Sequence, residues 1–152
     1  MNSKDKKIFI GADHAGFEAK NELKKYLKNL GFSVEDLGNS VLDLSDDYPD
    51  FMVKVAKAVA GDIGSKGVVI GGSGQGEAMV ANKVQGIRAA VVYDEYSAKI
   101  SREHNNANIA SFGARVLDIK KIKELTALWL NTPFSNEERH QRRIEKIESW
   151  SK

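Results

Sequence analysis

The chain contains no cysteine. That absence excludes disulfides, thiolate metal ligands and any thiol nucleophile or base in one step. Histidine is scarce as well: His14, His104 and His140 are the three present. No HxxxH, HExxH or DxD spacing occurs, so nothing in the pattern points to a metal site. Neither sign of charge dominates, with 23 Lys plus Arg against 21 Asp plus Glu and a formal net charge of +2. A nucleic-acid-binding surface, which needs a basic stripe interleaved with aromatics, is therefore not expected. No stretch approaches the roughly 18 apolar residues of a membrane span, and the run after the N-terminal lysines is too short for a signal peptide. The expectation is a soluble cytoplasmic protein. There is no internal repeat and no low-complexity tract.

What is present is a globular composition of 152 residues, 41% hydrophobic and 29% charged. It is enough for one compact domain over 1–152 and too little for two. Short strand-like runs alternate with helical periodicity. Strands are predicted at 7–11, 32–37, 67–70, 88–93 and 109–112. Helices are predicted at 17–30, from Pro49 to about Gly61, and at 77–83, 95–104, 119–131 and about 135–150. Gly31 reads as a helix stop, and Pro49 as a helix opener. Five strands alternating with helices, each strand read as apolar on both faces, imply a parallel sheet covered on both sides in a doubly wound α/β domain. The last helix, EERHQRRIEKIESW, is amphipathic and lies beyond the fifth strand, which makes it a candidate for packing on another subunit.

Ligands of open parallel sheets bind outside the carboxyl ends of the strands. After the first predicted strand come Asp13 and His14, in GADHAGF. After the third comes GGSGQGE, after the fourth Asp94 and Glu95, and after the fifth Gly113 and Arg115. His104-Asn105-Asn106 precedes the fifth strand and is less plainly on that rim. The glycine loop is the strongest local signal. Gly71, Gly72, Gly74 and Gly76 leave main-chain N–H groups free to meet a phosphate or a developing oxyanion. GxxxxGK[ST] is missing, so this is not a P-loop. Glu77 stands where a dinucleotide fingerprint would carry its third glycine, which argues against a pyrophosphate there. Glu77 itself reads either as a first-turn helix residue favoured by the dipole or as a carboxylate base beside an oxyanion site. In the last helix, Arg139 and Arg143 share a face with His140 adjacent, a spacing that suits phosphate, but Glu137, Glu138, Glu145 and Glu148 nearly neutralise the helix, so composition alone favours a solvated charged face.

Taken in order, GADHAGF, Asp47-Tyr48-Pro49, GGSGQGEAMVANK, GIRAA, REHNNANI, GAR and RHQRR resemble the type B ribose-5-phosphate isomerases over essentially the whole chain. The related galactose-6-phosphate isomerase subunits share part of these motifs. The resemblance implies a Rossmann-like three-layer α/β/α sandwich with a five-stranded parallel sheet. It further implies a homodimer with shared active sites, or a tetramer built on it, acting on a sugar phosphate without metal or organic cofactor. One branch of the family has a cysteine at the start of the glycine loop and another a glutamate at its end. With Gly71 at the first position and Glu77 at the second, this chain is similar to the glutamate branch. By the same resemblance Glu77 moves a proton between C2 and C1 through a cis-enediolate, and Gly72 to Gly76 with Ser73 hold the oxyanion. His104, near Asp13, assists ring opening. Tyr48 and Asn105 line the sugar site. His14, Arg115, Arg139, His140 and Arg143 bind phosphate, the last three from the partner subunit. A hexose 6-phosphate substrate and a non-catalytic sugar-phosphate- or nucleotide-binding module are the alternatives, the latter kept alive by Asp94.

Overall fold

The computed structural model describes residues 6–150; residues 1–5 of the N-terminal segment read above, and residues 151–152, lie outside it. The chain runs β1 (Lys7–Ala12), a 3-10 turn (His14–Gly16), α1 (Phe17–Asn29), β2 (Ser33–Asp36), α2 (Pro49–Gly61), β3 (Lys66–Gly71), α3 (Gln75–Ala81), β4 (Ala89–Val91), α4 (Glu95–Glu103), β5 (Ile109–Gly113), α5 (Ile119–Asn131) and α6 (Glu138–Glu148). All the strands are parallel, in the order β2-β1-β3-β5-β4.

Side chains alternate across the pleat, so each central strand feeds two cores. Ile8, Ile10, Val68, Ile70, Ala110 and Phe112 pack with Leu23 and Leu27 of α1, Ala98 of α4, and Leu125 and Trp129 of α5. Phe9, Val69 and Ile109 face the other way, against Met52, Val55 and Val59 of α2 and Ala81 of α3. This is the three-layer α/β/α arrangement expected. The two edge strands depart from the expectation of strands apolar on both faces. β2 is the sequence SVED, with no fully buried residue, and β4 is only half-buried throughout. Each has a neighbour on one side only, so polar side chains reach water there, and β2 holds its Asp36 against Lys20 and Lys24.

Several ends also shift. The last helix starts at Glu138 rather than about 135, because Pro133 precedes it and Asn136 takes a left-handed φ of 60°. The third helix begins at Gln75, two residues earlier than its apolar pattern suggests, because Gly74 with φ 82° turns the chain directly into it. α6 buries only His140, and Trp150 just beyond it is 85% exposed.

The chain runs from β1 outward to β2 and then crosses back to β3. The crevice at the carboxyl ends of β1 and β3 is therefore a switch point, the place where such folds bind ligands.

Candidate active site

Four segments meet at that crevice. The first is the turn after β1. Asp13 is buried and caps the 3-10 turn, its Oδ1 accepting the N–H groups of Ala15 at 2.9 Å and Gly16 at 3.2 Å. The turn presents His14, whose Nδ1 lies 2.7 Å from Oδ1 of Asp46. The same oxygen accepts the His14 main-chain N–H at 3.1 Å. Asp13, His14 and Asp46 bring their polar atoms within 4.8 Å of one another, the composition of a cation site. Three of the four carboxylate oxygens already hold protein donors, however: Ala15 and Gly16 on Oδ1 of Asp13, His14 on Oδ1 and Asn39 on Oδ2 of Asp46.

The glycine loop after β3 is the second segment. Ser111 Oγ donates to the Gly74 carbonyl at 2.7 Å and anchors the loop from β5. Among the described residues no backbone acceptor takes the N–H of Gly72 or Ser73. Ser73 is exposed, and its hydroxyl accepts the Gln75 N–H at 3.2 Å. Glu77, at the head of α3, is 4% exposed, and its Oε2 has no hydrogen-bond partner. Burial pushes this carboxyl above the usual carboxylate range and the charge of Asp13 pushes the same way, while the N–H groups of Glu77 and Gly74 oppose them. The protein itself thus makes Glu77 a stronger base, before any sugar arrives.

Gly71 has a second reason to be glycine. A Cβ built there would overlap the Glu77 carboxylate and stand 2.8 Å from its Cγ. A side chain at 71 and the Glu77 carboxylate claim the same space. The two positions that distinguish the branches of the resembled family are therefore sterically exclusive in this chain.

The other two segments close the rim. Tyr48, at the start of α2, sets its hydroxyl against Gly76. Arg115, two residues past β5, lies over Gly72, with Nη1 3.1 Å from where a Cβ would be. Asp94 takes no part. Its Oδ1 accepts the Ser97 N–H at 2.7 Å in a capping box at the head of α4, beside the edge strand β4. The one feature that favoured a dinucleotide is thus a helix cap.

His104 is not near Asp13, contrary to expectation. It closes the C-terminal end of α4, at the amino end of β5, whereas Arg115 follows the carboxyl end. The five residues of β5 separate the two edges by about 16 Å. At this second edge His104 stacks on His140, with ring centroids 3.9 Å apart and planes 20° from parallel. His140 is 2% exposed and its Nε2 has no partner; burial, then the neighbouring His104, lowers its pKa. Arg139 and Arg143 stand exposed on the outer side of α6, and Arg139 is 2.7 Å from Glu137. Asn105, next to His104 in sequence, is exposed. One side chain not singled out in the sequence organises this edge. Arg88 donates to the carbonyls of Asn105 at 3.0 Å and Asn106 at 3.1 Å and pairs with Glu148 of α6. Its place in GIRAA was the only signal. The residues singled out in the sequence therefore fall into two groups, one at each end of the strands of one sheet.

Comparison with known proteins agrees with this geometry. A sequence profile described as Ribose/Galactose Isomerase matches residues 8–147. The chain belongs to the ribose/galactose isomerase family. It is similar to ribose-5-phosphate isomerase B of Mycobacterium tuberculosis, 38% identical over 146 residues, covering 96% of this chain and 90% of that protein. It is also similar to ribose-5-phosphate isomerase B of Escherichia coli, 41% identical over 142 residues, covering 93% and 94%. Among solved structures, ribose-5-phosphate isomerase B of Mycoplasma genitalium with bound ribulose-5-phosphate superposes with a TM-score of 0.90 at 38% identity, covering 95% of each chain. Membership fits a crevice built around a glycine loop with N–H groups that take no backbone acceptor among the described residues, and a buried carboxylate. Among the described residues no helix is long and apolar enough to cross a membrane.

Proposed function

We propose that this protein interconverts D-ribose 5-phosphate and D-ribulose 5-phosphate, with Glu77 as the base. The Glu77 carboxylate carries the reading: buried, raised in pKa, one oxygen unpartnered, and set beside loop N–H groups with no backbone acceptor. Such a group is a base placed where an oxyanion can be stabilised. Glu77 takes the C2 proton of the open-chain aldose. The electron pair left behind forms the C1–C2 double bond, and the carbonyl pair moves onto O1. The resulting cis-enediolate is held by the N–H groups of the Gly72–Gly76 loop and the Ser73 hydroxyl. The O2 proton passes to O1, Glu77 returns its proton to C1, and C2 becomes the ketone. The relative from Mycoplasma genitalium, with its bound ribulose-5-phosphate, supports the same substrate class here.

The working unit in this reading is a homodimer. His104 and Asn105 join Arg139, His140 and Arg143 on the edge that one copy offers to the crevice of the other. The barely packed α6 and exposed Trp150 support that pairing. His104 of the second copy moves the anomeric proton when the furanose opens, while Arg139 and Arg143 meet the phosphate alongside His14 and Arg115. His140, buried and shifted toward the neutral form, backs the His104 ring and adds a hydrogen bond rather than a charge. A cytoplasmic location follows from the substrate, since a phosphate dianion does not cross a bilayer. The test is an assay of the purified protein on ribose 5-phosphate with a chelator present. Steady formation of ribulose 5-phosphate is expected, and no turnover would contradict the assignment. Higher kcat/KM on a hexose 6-phosphate would favour the galactose branch.

A further inference from the structure

We propose that Asp46 is the positioning residue for His14, fixing its ring so that Nε2 alone is left to meet the phosphate and holding the imidazole in its cationic form. This rests on the reading of His14 as a phosphate ligand. Asp46 lies in the polar loop between β2 and α2, where Asp43, Leu44, Ser45 and Asp47 are all exposed. Its own side chain is only 5% exposed. Oδ1 holds both the main-chain N–H and Nδ1 of His14, and Oδ2 accepts Asn39 Nδ2 at 2.8 Å. A carboxylate withdrawn from water needs a compensating charge. No Lys or Arg among the described residues forms an ion pair with it, and His14 is its partner.

The hydrogen-bonding pattern has a consequence for the ligand. With Nδ1–H given to Asp46, a neutral His14 carries a lone pair at Nε2 and presents an acceptor to another acceptor, the phosphate oxygen. Only the imidazolium can donate from Nε2 while keeping Asp46. The charged groups facing His14 favour that form. Asp46 through its hydrogen bond, then Asp13 and Asp46 through their charges, raise its pKa, while burial and Arg115 oppose them. Asp43 also feels His14 as a neighbouring charge. His14 and Arg115 then act as two cationic donors on one anion. The polar loop, through one buried carboxylate, makes the first of them available at neutral pH.

Asp46→Asn tests this, because the amide keeps the size and an acceptor oxygen for the His14 N–H groups while removing the charge. Histidine ring NMR across pH reads the His14 pKa directly, and inorganic phosphate is the binding probe. In the wild type, His14 is expected to titrate above its ordinary value of about 6.5 and phosphate affinity to fall as pH rises through that titration. In Asp46→Asn the His14 pKa falls below the wild-type value. The Kd for phosphate and the KM for ribose 5-phosphate then rise about tenfold at pH 7.5, with kcat within about threefold. The difference shrinks below about pH 6, where both proteins carry the imidazolium. An equal His14 pKa in the two proteins, or an unchanged Kd for phosphate at pH 7.5, overturns the proposal. So does a wild-type His14 that titrates at or below its ordinary value, a result that needs no variant to fold. These readings need no turnover, so inactivity on ribose 5-phosphate would reject the proposed substrate and leave the role of Asp46 to be decided separately.

Discussion

Gly71→Ala is the most informative single change, because it adds one methyl group to a space already occupied by the Glu77 carboxylate. The new Cβ would overlap the Glu77 carboxylate and approach its Cγ to 2.8 Å. Non-bonded atoms need about 3.5 Å, so the carboxylate has to retreat by roughly 1.5 Å. A misplacement of about 1 Å can cost about 100-fold in rate when the reacting geometry is tight. We therefore expect kcat to fall by about 100-fold or more. KM should change little, because His14 and Arg115 stand on other segments of the crevice. Overpacking a buried site of this kind costs about 1–3 kcal/mol, which thermal unfolding would register without loss of the fold. The assay is steady-state turnover of ribose 5-phosphate beside a melting curve. Coupling gives a second reading: Gly71→Ala placed on Glu77→Gln should cost little further, since both act on one group. A Gly71→Ala protein with kcat within about threefold of wild type would refute the idea that the Glu77 carboxylate must occupy this position.

Other consequences can be checked independently. Glu77→Gln should abolish turnover while sparing phosphate binding; retained turnover would remove Glu77 as the base. The same variant bears on stability. Because the folded state raises the Glu77 pKa, it binds this proton more tightly than the unfolded chain does. Stability from this group is therefore full below the unfolded value and is lost as pH rises through the folded one. Glu77→Gln should accordingly raise Tm at pH 7–8 relative to wild type and much less at pH 4; an equal effect at both pH values would contradict the sign. Arg139→Ala and Arg143→Ala should each raise KM by about tenfold with kcat nearly intact, and an unchanged KM in both would return α6 to the role of a solvated face. Arg88→Ala should lower Tm and kcat together, since it releases the Asn105–Asn106 turn beside His104 and the tie to α6.

The central sheet was legible because parallel strands buried on both faces leave unbroken apolar runs such as IFIGA and GVVIG. Pro49–Gly61 and Ile119–Asn131 were found at their true ends, where a proline and a clear apolar stripe mark them. The edges were harder to read. β2 was placed at 32–37, but it carries Glu35 and Asp36 toward solvent and Lys20, so the burial on both faces expected of it is missing. The crevice residues were visible as polarity after strands, and the motif resemblance ordered them. His104 precedes β5 in an all-parallel sheet and so falls at the amino end of the strands, as its place in the sequence implied; what local sequence could not supply is the surface that end meets. Asp46 was hidden for a related reason. In an acidic loop its burial distinguishes it from Asp43 and Asp47, and burial comes from the His14 turn 32 residues earlier.

The central claim is that each active site combines the crevice of one copy with the His104 edge of another. It is tested most directly by complementation between two inactive variants, Glu77→Gln and His104→Ala. Co-refolded in equal amounts, half of the dimers are mixed, and each of these has one site carrying both changes and one carrying neither. The account predicts that the mixture recovers about a quarter of wild-type activity, although each parent alone is nearly inert. A mixture no more active than its parents would show that Glu77 and His104 do not meet across two chains.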